Sequence, residues 1–402
     1  MPSGAPFDFV IVGAGIVGLT VAGEILRRQP RARLAVLEKE AAPAQHASGR
    51  NSGVLHCGIY YGSDTVKAKV CASGARRMLE FAKDQGIAHA QHGKVILATS
   101  QDQLPTVARL LNNARVNGIA AHSIDESRLR ELEPHAAPGP AAIWCPTTAV
   151  IDSAAVVARL REQLAARGVE FVFRCQAGAP AERGALQTSC GTMRYGLLFN
   201  CAGAHADRLA KAYGLARDYT LVPFKGIYWK LADSARHLVR ANIYPVPDAS
   251  LPFLGVHCTR VISGEVYVGP TAIPALGREN YGIVQGLNLA ESLGIGLQLA
   301  GMYLRNENHF RQLVQAELGK YRKRNFLAAA RRLVPALRGQ DLVPTAKAGI
   351  RPQLVNTRTR QLEMDYLLER TEDSVHVLNA ISPAFTSSFA FAEWIVDAAK
   401  VS

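Results

Sequence analysis

The stretch that decides the fold is DFVIVGAGIVG, residues 8–18. Its first five residues, an aspartate followed by four apolar residues, have the length of a short buried strand, and three glycines follow in the spacing GxGxxG. Apolar residues then recur at helical spacing from Leu19 to Leu26, and a second apolar run, residues 34–37, ends at Glu38. Strand, glycine turn, helix, strand and acid in this order predict a dinucleotide-binding fold.

Each residue of this unit has a physical task. Gly13 permits the tight turn, Gly15 lets a pyrophosphate approach the backbone, and Gly18 lets the helix pack closely on the strand. Glu38 can accept hydrogen bonds from the ribose hydroxyls of an adenosine. The alternative is a glycine-rich turn that binds no ligand. The cofactor-binding residues predicted here are Gly13, Ala14, Gly15, Ile16, Val17, Gly18, Glu38 and Lys39.

Segments far along the chain extend the same parallel sheet. The pattern predicts a helix over 154–166 and strands over 170–173, 197–203 and 375–378. We therefore expect an α/β fold, α+β overall, in which a Rossmann-like nucleotide domain is discontinuous and comprises residues 1–88, 149–217 and 342–402. A mixed-sheet substrate domain is expected from residues 89–148 and 218–341, with strands near 227–230, 253–257 and 265–269.

A serine-rich loop precedes the last predicted helix. The loop NAISPAFTSS, residues 379–388, leads into FAFAEWIVDAA, residues 389–399. A helix N-terminus that is preceded by the hydroxyl residues Ser382, Thr386, Ser387 and Ser388 can stabilise negative charge, such as that on a reduced isoalloxazine ring. The alternative is that Ser387 or a neighbour is simply an N-cap.

Composition narrows the function classes. The 402 residues are 48% hydrophobic and 20% charged, which excludes a disordered or collagen-like chain. The net charge of +13 points to an anionic partner, namely substrate, lipid or nucleic acid. The seven cysteines never form CxxC, so neither a disulfide framework nor a zinc site is indicated, no metal site is predicted, and a cytoplasmic protein is expected. The apolar stretch 9–23 is too short to span a bilayer, and no transmembrane helix is predicted.

Six further motifs carry a resemblance to a known family. They are SGRNSGVLHCGIYYG (48–62), PFKGIYW (223–229), PFLGVHCTR (252–260), VGPTA (268–272), RRLVPAL (331–337) and GIRPQL (349–354). Together with GxGxxG, they resemble the L-2-hydroxyglutarate dehydrogenase/oxidase family, which is glycine-oxidase-like and belongs to the D-amino-acid-oxidase-like FAD enzymes. The resemblance implies noncovalent FAD and oxidation of the L-2-hydroxy acid to 2-oxoglutarate.

The resemblance also bears on individual residues. The sequence departs from the family pattern at Thr271, at Ile227, Tyr228 and Trp229, and at Phe385, Phe389 and Phe391, positions that concern the substrate more than the chemistry. The resemblance places the NSGV turn beside the flavin. Further predicted cofactor-binding residues are Ser48, Asn51, Ser52, Gly53, Ala202, Gly203, Gly349, Ser387 and Ser388.

Oxidising a secondary alcohol next to a carboxylate requires a hydride acceptor, a base and a cation. His56 follows the NSGV turn and is the first candidate base, with a histidine that merely orders the turn as the alternative. His257 is the second candidate. Cys57 is interpreted as a small packed residue.

Arg351, in GIRPQ, is the candidate for the carboxylate because its planar fork matches a carboxylate bidentately. Related FAD oxidases have a substrate-binding arginine in a comparable late Gly-x-Arg-Pro motif, and the alternative is a structural ion pair. A dicarboxylate needs a second anchor. The donors available for it are Lys225, Arg260, Tyr60 and Tyr61.

The segment 305–338 is strongly basic, with nine Lys or Arg against two Glu. Apolar residues from Phe326 to Val334 recur at helical spacing within it. A basic amphipathic helix can lie on anionic lipid, which would suit a peripheral enzyme on the inner face of the cytoplasmic membrane that passes electrons to a quinone. The alternative is a solvated face whose apolar stripe packs on the substrate domain.

Three functions compete at this stage. The leading one is an FAD-linked oxidation of a small-molecule 2-hydroxy dicarboxylate, and the second is an amine or amino-acid oxidase on the same scaffold. The third is a nucleic-acid or membrane-binding protein that keeps the nucleotide fold as a relic. The intact glycines, Glu38 and Arg351 argue against the third, and a nucleic-acid partner is not expected.

Overall fold

The computed structural model describes residues 5–248, 253–306 and 310–401. Local signals start several helices: Thr65 and Asp152 are N-caps whose side chains accept hydrogen bonds from the backbone of the first turn. The helices are α1 (Ile16–Arg28), α2 (Val66–Asp84), α3 (Leu104–Val116), α4 (Glu126–Leu132), α5 (Ser153–Ala166), α6 (Ala206–Ala212), α7 (Leu289–Arg305), α8 (Phe310–Gly319), α9 (Lys323–Arg331) and α10 (Ala384–Ala398).

The first sheet has a parallel centre. Strand β1 pairs in parallel with β2 and β12, while β9 and β20 extend the parallel part on either side. The predicted Rossmann-like arrangement is thereby confirmed. The strands of this sheet are β1 (Phe7–Val12), β2 (Leu34–Leu37), β9 (Glu170–Val172), β10 (Ala177–Glu182), β11 (Ala185–Thr188), β12 (Gly191–Asn200), β19 (Leu368–Arg370) and β20 (Ser374–Val377).

The second sheet is mixed, since β14 runs parallel to β5 and the other pairs are antiparallel. Its strands are β5 (Lys94–Ala98), β6 (His122–Ile124), β7 (Ala141–Cys145), β13 (Tyr219–Leu231), β14 (Asn242–Pro245), β15 (His257–Arg260), β16 (Val266–Gly269), β17 (Ile273–Pro274) and β18 (Leu342–Asn356). A small third sheet joins β3 (Val54–Leu55), β8 (Ala149–Ile151) and β4 (His89–Ala90).

Two details of the second sheet differ from the sequence-based expectation. Strand β18, which we placed with the nucleotide domain, pairs with β13 along its whole length. The strand expected over 253–257 begins only at His257, because Phe253 turns away to pack on Phe224, with ring centroids 4.7 Å apart. The domain boundaries remain a prediction.

The last helix begins earlier than the sequence indicated. Helix α10 starts at Ala384, so Ser387 and Ser388 lie inside it and are fully buried, and neither is the N-cap. Ser387 Oγ donates to the carbonyl of Pro383 and pairs with Tyr366 Oη. The backbone of Ser387 lies against Gly74 of α2, where an added Cβ would approach Ser387 Cα to 2.5 Å. Ser387 is therefore enclosed where α2 packs closely on α10, and the predicted contact of the two serines with a cofactor stays a prediction.

The structure favours one of the two interpretations of the basic segment, the solvated face whose apolar stripe packs on the protein. In α9, Phe326 and Ala330 are buried, and Leu333 and Val334 continue the same buried stripe beneath the second sheet. Its cations remain in solvent, so the solvated-face alternative holds for α9, and this apolar stripe is not available to lipid. Within the described ranges, every helix is too short or too polar to cross a bilayer.

Candidate active site

A cavity of about 1210 Å³ is lined by residues of both larger sheets. Its lining includes Gly13, Gly15 and Glu38 in one part, and His56 and Arg351, which are close enough for their charges to interact, in another. Ligand pockets usually enclose about 300–1,000 Å³. This cavity therefore has room for a dinucleotide and a small molecule end to end.

The glycine turn forms a cradle that only glycine fits. Gly13 has φ +110°, and an added Cβ would lie 2.5 Å from the carbonyl oxygen of Cys201. A Cβ on Gly18 would collide with the carbonyl of Gly13, as expected where a helix packs closely on a strand. Gly15 is the N-cap of α1, and the N–H of Ile16 donates to Ser48 Oγ at 2.9 Å. The N-terminus of α1 thus opens into the cavity with backbone donors and a hydroxyl, which suits a pyrophosphate.

Glu38 lines the cavity at the carboxyl end of β2. Its Oε2 accepts from the N–H of Ala14 and its Oε1 from the N–H of Glu40, both at 2.9 Å. These bonds fix the carboxylate beside the glycine turn, where an adenosine ribose is expected. Lys39 instead pairs with Glu279 at 2.7 Å and with Glu40, so its ammonium is neutralised by protein carboxylates. The pKa of Glu279 is held well below its usual range, first by the hydrogen bond to His205 and then by Lys39.

Most of the predicted cofactor-binding residues line this cavity, and their role in binding stays a prediction. The five that do not line it are Ala14, Gly18, Gly53, Ser387 and Ser388; those that do are Gly13, Gly15, Ile16, Val17, Glu38, Lys39, Ser48, Asn51, Ser52, Ala202, Gly203 and Gly349. The end of the loop before α10 and the first turn of α10, residues 382–386, line the cavity instead of the two serines. Thr386 Oγ1 donates to the carbonyl of Val54 and accepts from the N–H of His56, which ties this loop to β3.

Both candidate bases face the far end of the cavity and are neutral at physiological pH. Burial first, and then the nearby charges of Lys94, His257 and Arg351, together lower the pKa of His56 to about 3. Burial likewise lowers the pKa of His257 to about 4, although its Nδ1 bonds to the carbonyl of Gly255 at 2.9 Å. A neutral imidazole has a lone pair that can accept a proton. The geometry therefore permits either histidine to be the base.

Arg351 projects from β18 into the same end of the cavity. Its guanidinium carbon lies 5.0 Å from the ring centroid of Phe253. Across the described residues, no carboxylate pairs with it and no hydrogen bond holds it, so the structural ion pair has no partner here. Burial lowers the pKa of Arg351 from its ordinary value, as expected for a desolvated cation that has no anionic partner.

The other predicted anchors divide into two groups. Tyr60 and Tyr61 line the cavity, and burial raises the pKa of both phenols, so both are neutral donors. Lys225 is outside the lining because its ammonium donates to Asn280 Oδ1 at 2.9 Å and to the carbonyl of Gly282 at 2.6 Å. Arg260 donates to the carbonyl of Val239 and is also outside the lining.

The positions that depart from the family pattern also divide. Thr271, Tyr228 and Phe385 line the cavity. Phe389 packs on Phe81, and Phe391 is fully buried against Tyr366. Phe389 and Phe391 therefore belong to the hydrophobic core around the first sheet. Of the departures from the family pattern, Thr271, Tyr228 and Phe385 are the ones that face the cavity.

Sequence reasoning missed three residues of this site. Tyr244 and Lys67 line the cavity, and the buried Lys94 lies behind the rings of Tyr60 and Tyr244, 4.7 and 5.2 Å from their centroids. Lys94 begins the apolar strand KVILA, a pattern in which a charge is unexpected. Lys67 shares a helical face with Val70, Cys71 and Gly74, which are buried. Both signals were present in the sequence.

Comparison with known proteins identifies the family. A family model described as FAD dependent oxidoreductase matches residues 8–398. The chain belongs to this family. Among solved structures similar to this FAD-dependent oxidoreductase are L-alpha-glycerophosphate oxidase from Mycoplasma pneumoniae (TM-score 0.77, 19% identity, 99% of this chain and 95% of that one) and glycine oxidase from Geobacillus kaustophilus (TM-score 0.72, 18% identity, 99% and 95%). They share its fold, and the predicted glycine-oxidase-like architecture is confirmed.

Curated relatives narrow the family. The L-2-hydroxyglutarate dehydrogenase of Escherichia coli K12 is 34% identical over 394 residues, covering 97% of this chain and 92% of that protein. The mitochondrial L-2-hydroxyglutarate dehydrogenase of Caenorhabditis elegans is 35% identical over 416 residues, covering 98% and 93%. The chain is therefore an FAD-dependent enzyme of the L-2-hydroxyglutarate dehydrogenase family, as the sequence motifs predicted. The cradle at Gly13, Gly15 and Ser48 and the long cavity fit an FAD molecule.

Proposed function

We propose that this enzyme oxidises L-2-hydroxyglutarate to 2-oxoglutarate. The observation that carries the proposal is the unpaired guanidinium of Arg351 in the same cavity end as two neutral histidines. The names of the relatives support the choice of hydroxy acid. When bound, FAD accepts a hydride at N5 of its ring system.

The protein residues have separate tasks in this proposal. Arg351 binds the carboxylate next to the alcohol and fixes the C2 hydrogen in one orientation. The hydroxyl proton passes to Nε2 or Nδ1 of His56, whichever carries the lone pair, and His257 is the alternative acceptor. Tyr60 and Tyr61 supply neutral donors to the substrate. The apolar and aromatic walls exclude water from the reacting carbon.

The test is anaerobic bleaching of the purified yellow enzyme. L-2-Hydroxyglutarate should reduce the flavin fully, and D-2-hydroxyglutarate should not, because Arg351 and the base together fix the carboxylate and the hydroxyl and so orient the C2 hydrogen of one enantiomer for transfer. L-Glutamate and glycine are the matched amine substrates. Bleaching by an amine but not by the hydroxy acid would replace this proposal with the amine or amino-acid oxidase.

We also propose that the enzyme binds an anionic membrane from the cytoplasm, through α7 rather than α9, and passes electrons to a quinone. Residues 283–304 contain one charged residue, Glu291, which pairs inward with Arg278 at 3.2 Å. Ile295 and Met302 face the protein. The opposite face of α7 is apolar and exposed, at Leu289 90%, Leu293 67%, Leu297 68% and Leu304 75%, and Ile283 in the loop before α7 is 92% exposed. An unpartnered apolar face of this size is unusual on a soluble monomer.

Charge decides which partner covers this face. Arg208 flanks its first turn through Glu291, and Arg311 flanks its last turn by donating to the carbonyl of Leu304 at 3.0 Å. A net charge of +13 repels a second copy and attracts anionic lipid. The loop before α7 also lines the cavity through Tyr281 and Gly286, so a lipid-dissolved quinone would approach the cavity from this side.

Liposome flotation tests the membrane proposal. The parent should bind vesicles containing phosphatidylglycerol at low salt, and L293E/L297E should not, because two carboxylates would enter the apolar boundary. Val116→Glu is the matched control, since Val116 is 50% exposed on α3. Equal binding of L293E/L297E and the parent would exclude α7 as the contact.

A further inference from the structure

We propose that Lys67 binds the second carboxylate of a dicarboxylate substrate, so that Arg351 and Lys67 together select for a dianion. The inference rests on the proposed function and adds the residue that recognises the distal end of the substrate. Lys67 lies at the start of α2 and is 4% exposed, yet it lines the cavity with Tyr61 and Arg351.

The contacts described for Lys67 include no salt bridge. Its Nζ donates to the carbonyl of Met364 and lies 5.7 and 5.6 Å from the ring centroids of Tyr61 and Tyr366. An ammonium has three donors, so two remain for a ligand. In the described part of the chain, no carboxylate forms a salt bridge with it.

The carboxylate that precedes Tyr366 is committed elsewhere. Asp365 accepts from the N–H groups of Val66 and Lys67 at 2.6 and 3.1 Å and from that of Tyr366 at 2.8 Å. It therefore holds the first turn of α2 in place and fixes the backbone of Lys67. Asp365 therefore offsets the charge of the ammonium only from a distance and forms no salt bridge with it, which leaves the ammonium available to a ligand.

Two desolvated cations in one cavity end favour a ligand with two negative charges. Burial is the main cause that lowers the pKa of Lys67 to about 8; Asp365 opposes this shift and Arg351 adds to it. A buried charge without a partner is unfavourable, and each cation also repels the other. A monocarboxylate neutralises one of them. A dicarboxylate neutralises both cations, and we therefore expect it to bind more tightly than a monocarboxylate.

The other cations that line the cavity are already engaged or exposed. Lys39 pairs with Glu279, Arg208 and Arg278 pair with Glu291 and Asp207, Arg50 stacks on Tyr281 at 4.0 Å, and Arg109 is exposed. Lys94 is buried outside the lining, behind two tyrosine rings. Lys67 is the cation left for the distal carboxylate among these residues.

The experiment compares two substrates that differ in one carboxylate. L-2-Hydroxyglutarate and L-2-hydroxyvalerate have the same carbon chain, and anaerobic flavin reduction gives a half-saturating concentration and a limiting rate for each. Lys67→Met should raise the half-saturating concentration of L-2-hydroxyglutarate by on the order of 10²-fold, because a buried charge pair is lost. Lys67→Met should change the half-saturating concentration of L-2-hydroxyvalerate by less than about threefold. This substrate has no distal carboxylate for Lys67 to bind, and the substitution removes a cation that repels Arg351.

Three controls separate the possible outcomes. Lys69→Met removes an exposed lysine from the same helix and should behave as the parent. Lys67→Gln retains a donor for the Met364 carbonyl and should lose discrimination as Lys67→Met does, while retained flavin absorbance reports the fold. If Lys67→Gln weakens both substrates equally, Lys67 is structural and the inference fails. If the parent itself is not reduced by L-2-hydroxyglutarate, the proposed function fails instead, and spectral titration with glutarate and valerate still tests for a two-cation subsite.

Discussion

The phenol ring of Tyr244 lies against the imidazole of His257, with ring centroids 4.0 Å apart and planes 33° apart. The same phenol meets the ring of His56 edge-on at 6.4 Å. Lys94 places its ammonium 5.2 Å from the centroid of Tyr244 on the buried side. One aromatic residue therefore supports both candidate bases, and one buried cation disfavours protonation of both.

The first prediction concerns the base. His56→Asn should slow flavin reduction at saturating substrate by roughly 10²- to 10⁴-fold, because no positioned group then accepts the hydroxyl proton. Anaerobic stopped-flow absorbance measures this step without reoxidation. His122→Asn, at an exposed position on β6, is the control and should react at the parent rate. If His56→Asn also keeps the parent rate, the base is His257, and His257→Asn should show the loss.

The second prediction concerns the pH dependence of that same step. A base with a pKa of about 3 is neutral above that value, so the rate should fall only as pH drops through about 3. Between about pH 5 and 7 the limiting rate should be flat. Stopped-flow reduction across this range is the measurement. An acidic limb centred near the ordinary histidine pKa of about 6.5 would show that burial does not depress the pKa of the base.

The third prediction concerns Arg351. Arg351→Lys keeps the charge but loses the planar fork, so the half-saturating concentration of substrate should rise by on the order of 10-fold or more. Flavin should remain bound, because the substitution leaves the glycine turn at Gly13, Gly15 and Gly18 unchanged. Arg358→Lys, on an exposed turn, should change neither quantity. Loss of flavin from Arg351→Lys would assign the residue to the cofactor.

The fourth prediction tests the cradle. A Cβ on Gly15 would lie 3.0 Å from Ser48 Oγ, so Gly15→Val should fill the space at the N-terminus of α1 and yield colourless protein. Gly23→Ala is the control on the same helix, because its Cβ would have no neighbour within 4 Å. Absorbance near the flavin bands after purification gives the occupancy. Full occupancy of Gly15→Val would rule out a pyrophosphate at this turn.

The part of the fold that was predictable from sequence depends on local signals. The glycines of residues 13–18 act within one turn, so the nucleotide unit and the cavity end that contains them were predictable. Arg351 was predictable because its motif is local as well. The hydrogen bonds that keep Lys225 out of the cavity lining were not predictable, because its partners Asn280 and Gly282 lie more than fifty residues away along the chain.

The amphipathic pattern predicted helices, but it did not show whether the apolar face of each helix packs on the protein or faces solvent. The sequence allowed Phe326 and Ala330 in α9 to face lipid or to pack on the substrate domain, and the structure shows that they are core residues. Leu289, Leu293 and Leu297 in α7 recur every four residues as a core stripe would, yet they are exposed. Only the packing of each helix on a sheet decides between core and surface, and that packing involves residues distant in sequence.

The last prediction concerns stability and His376, which lies in β20 far from the reacting groups. Its imidazole is fully buried, with Nδ1 2.9 Å from Asn200 Nδ2 and Nε2 2.9 Å from Ser374 Oγ, and burial lowers its pKa to about 4. The unfolded chain binds a proton near pH 6.5 that the folded chain excludes until about pH 4, so the free energy of unfolding should fall as pH drops through this window and stay constant above it. At about 1.4 kcal/mol per pH unit, the loss between pH 6.5 and pH 5 is about 2 kcal/mol. Urea unfolding of the holoenzyme at pH 7.5, about 6 and about 5 measures it, and His376→Gln should lose that much less stability on acidification than the parent. Parallel pH dependences for the parent and His376→Gln, with the exposed His122→Gln as reference, would show that His376 is not the group that titrates.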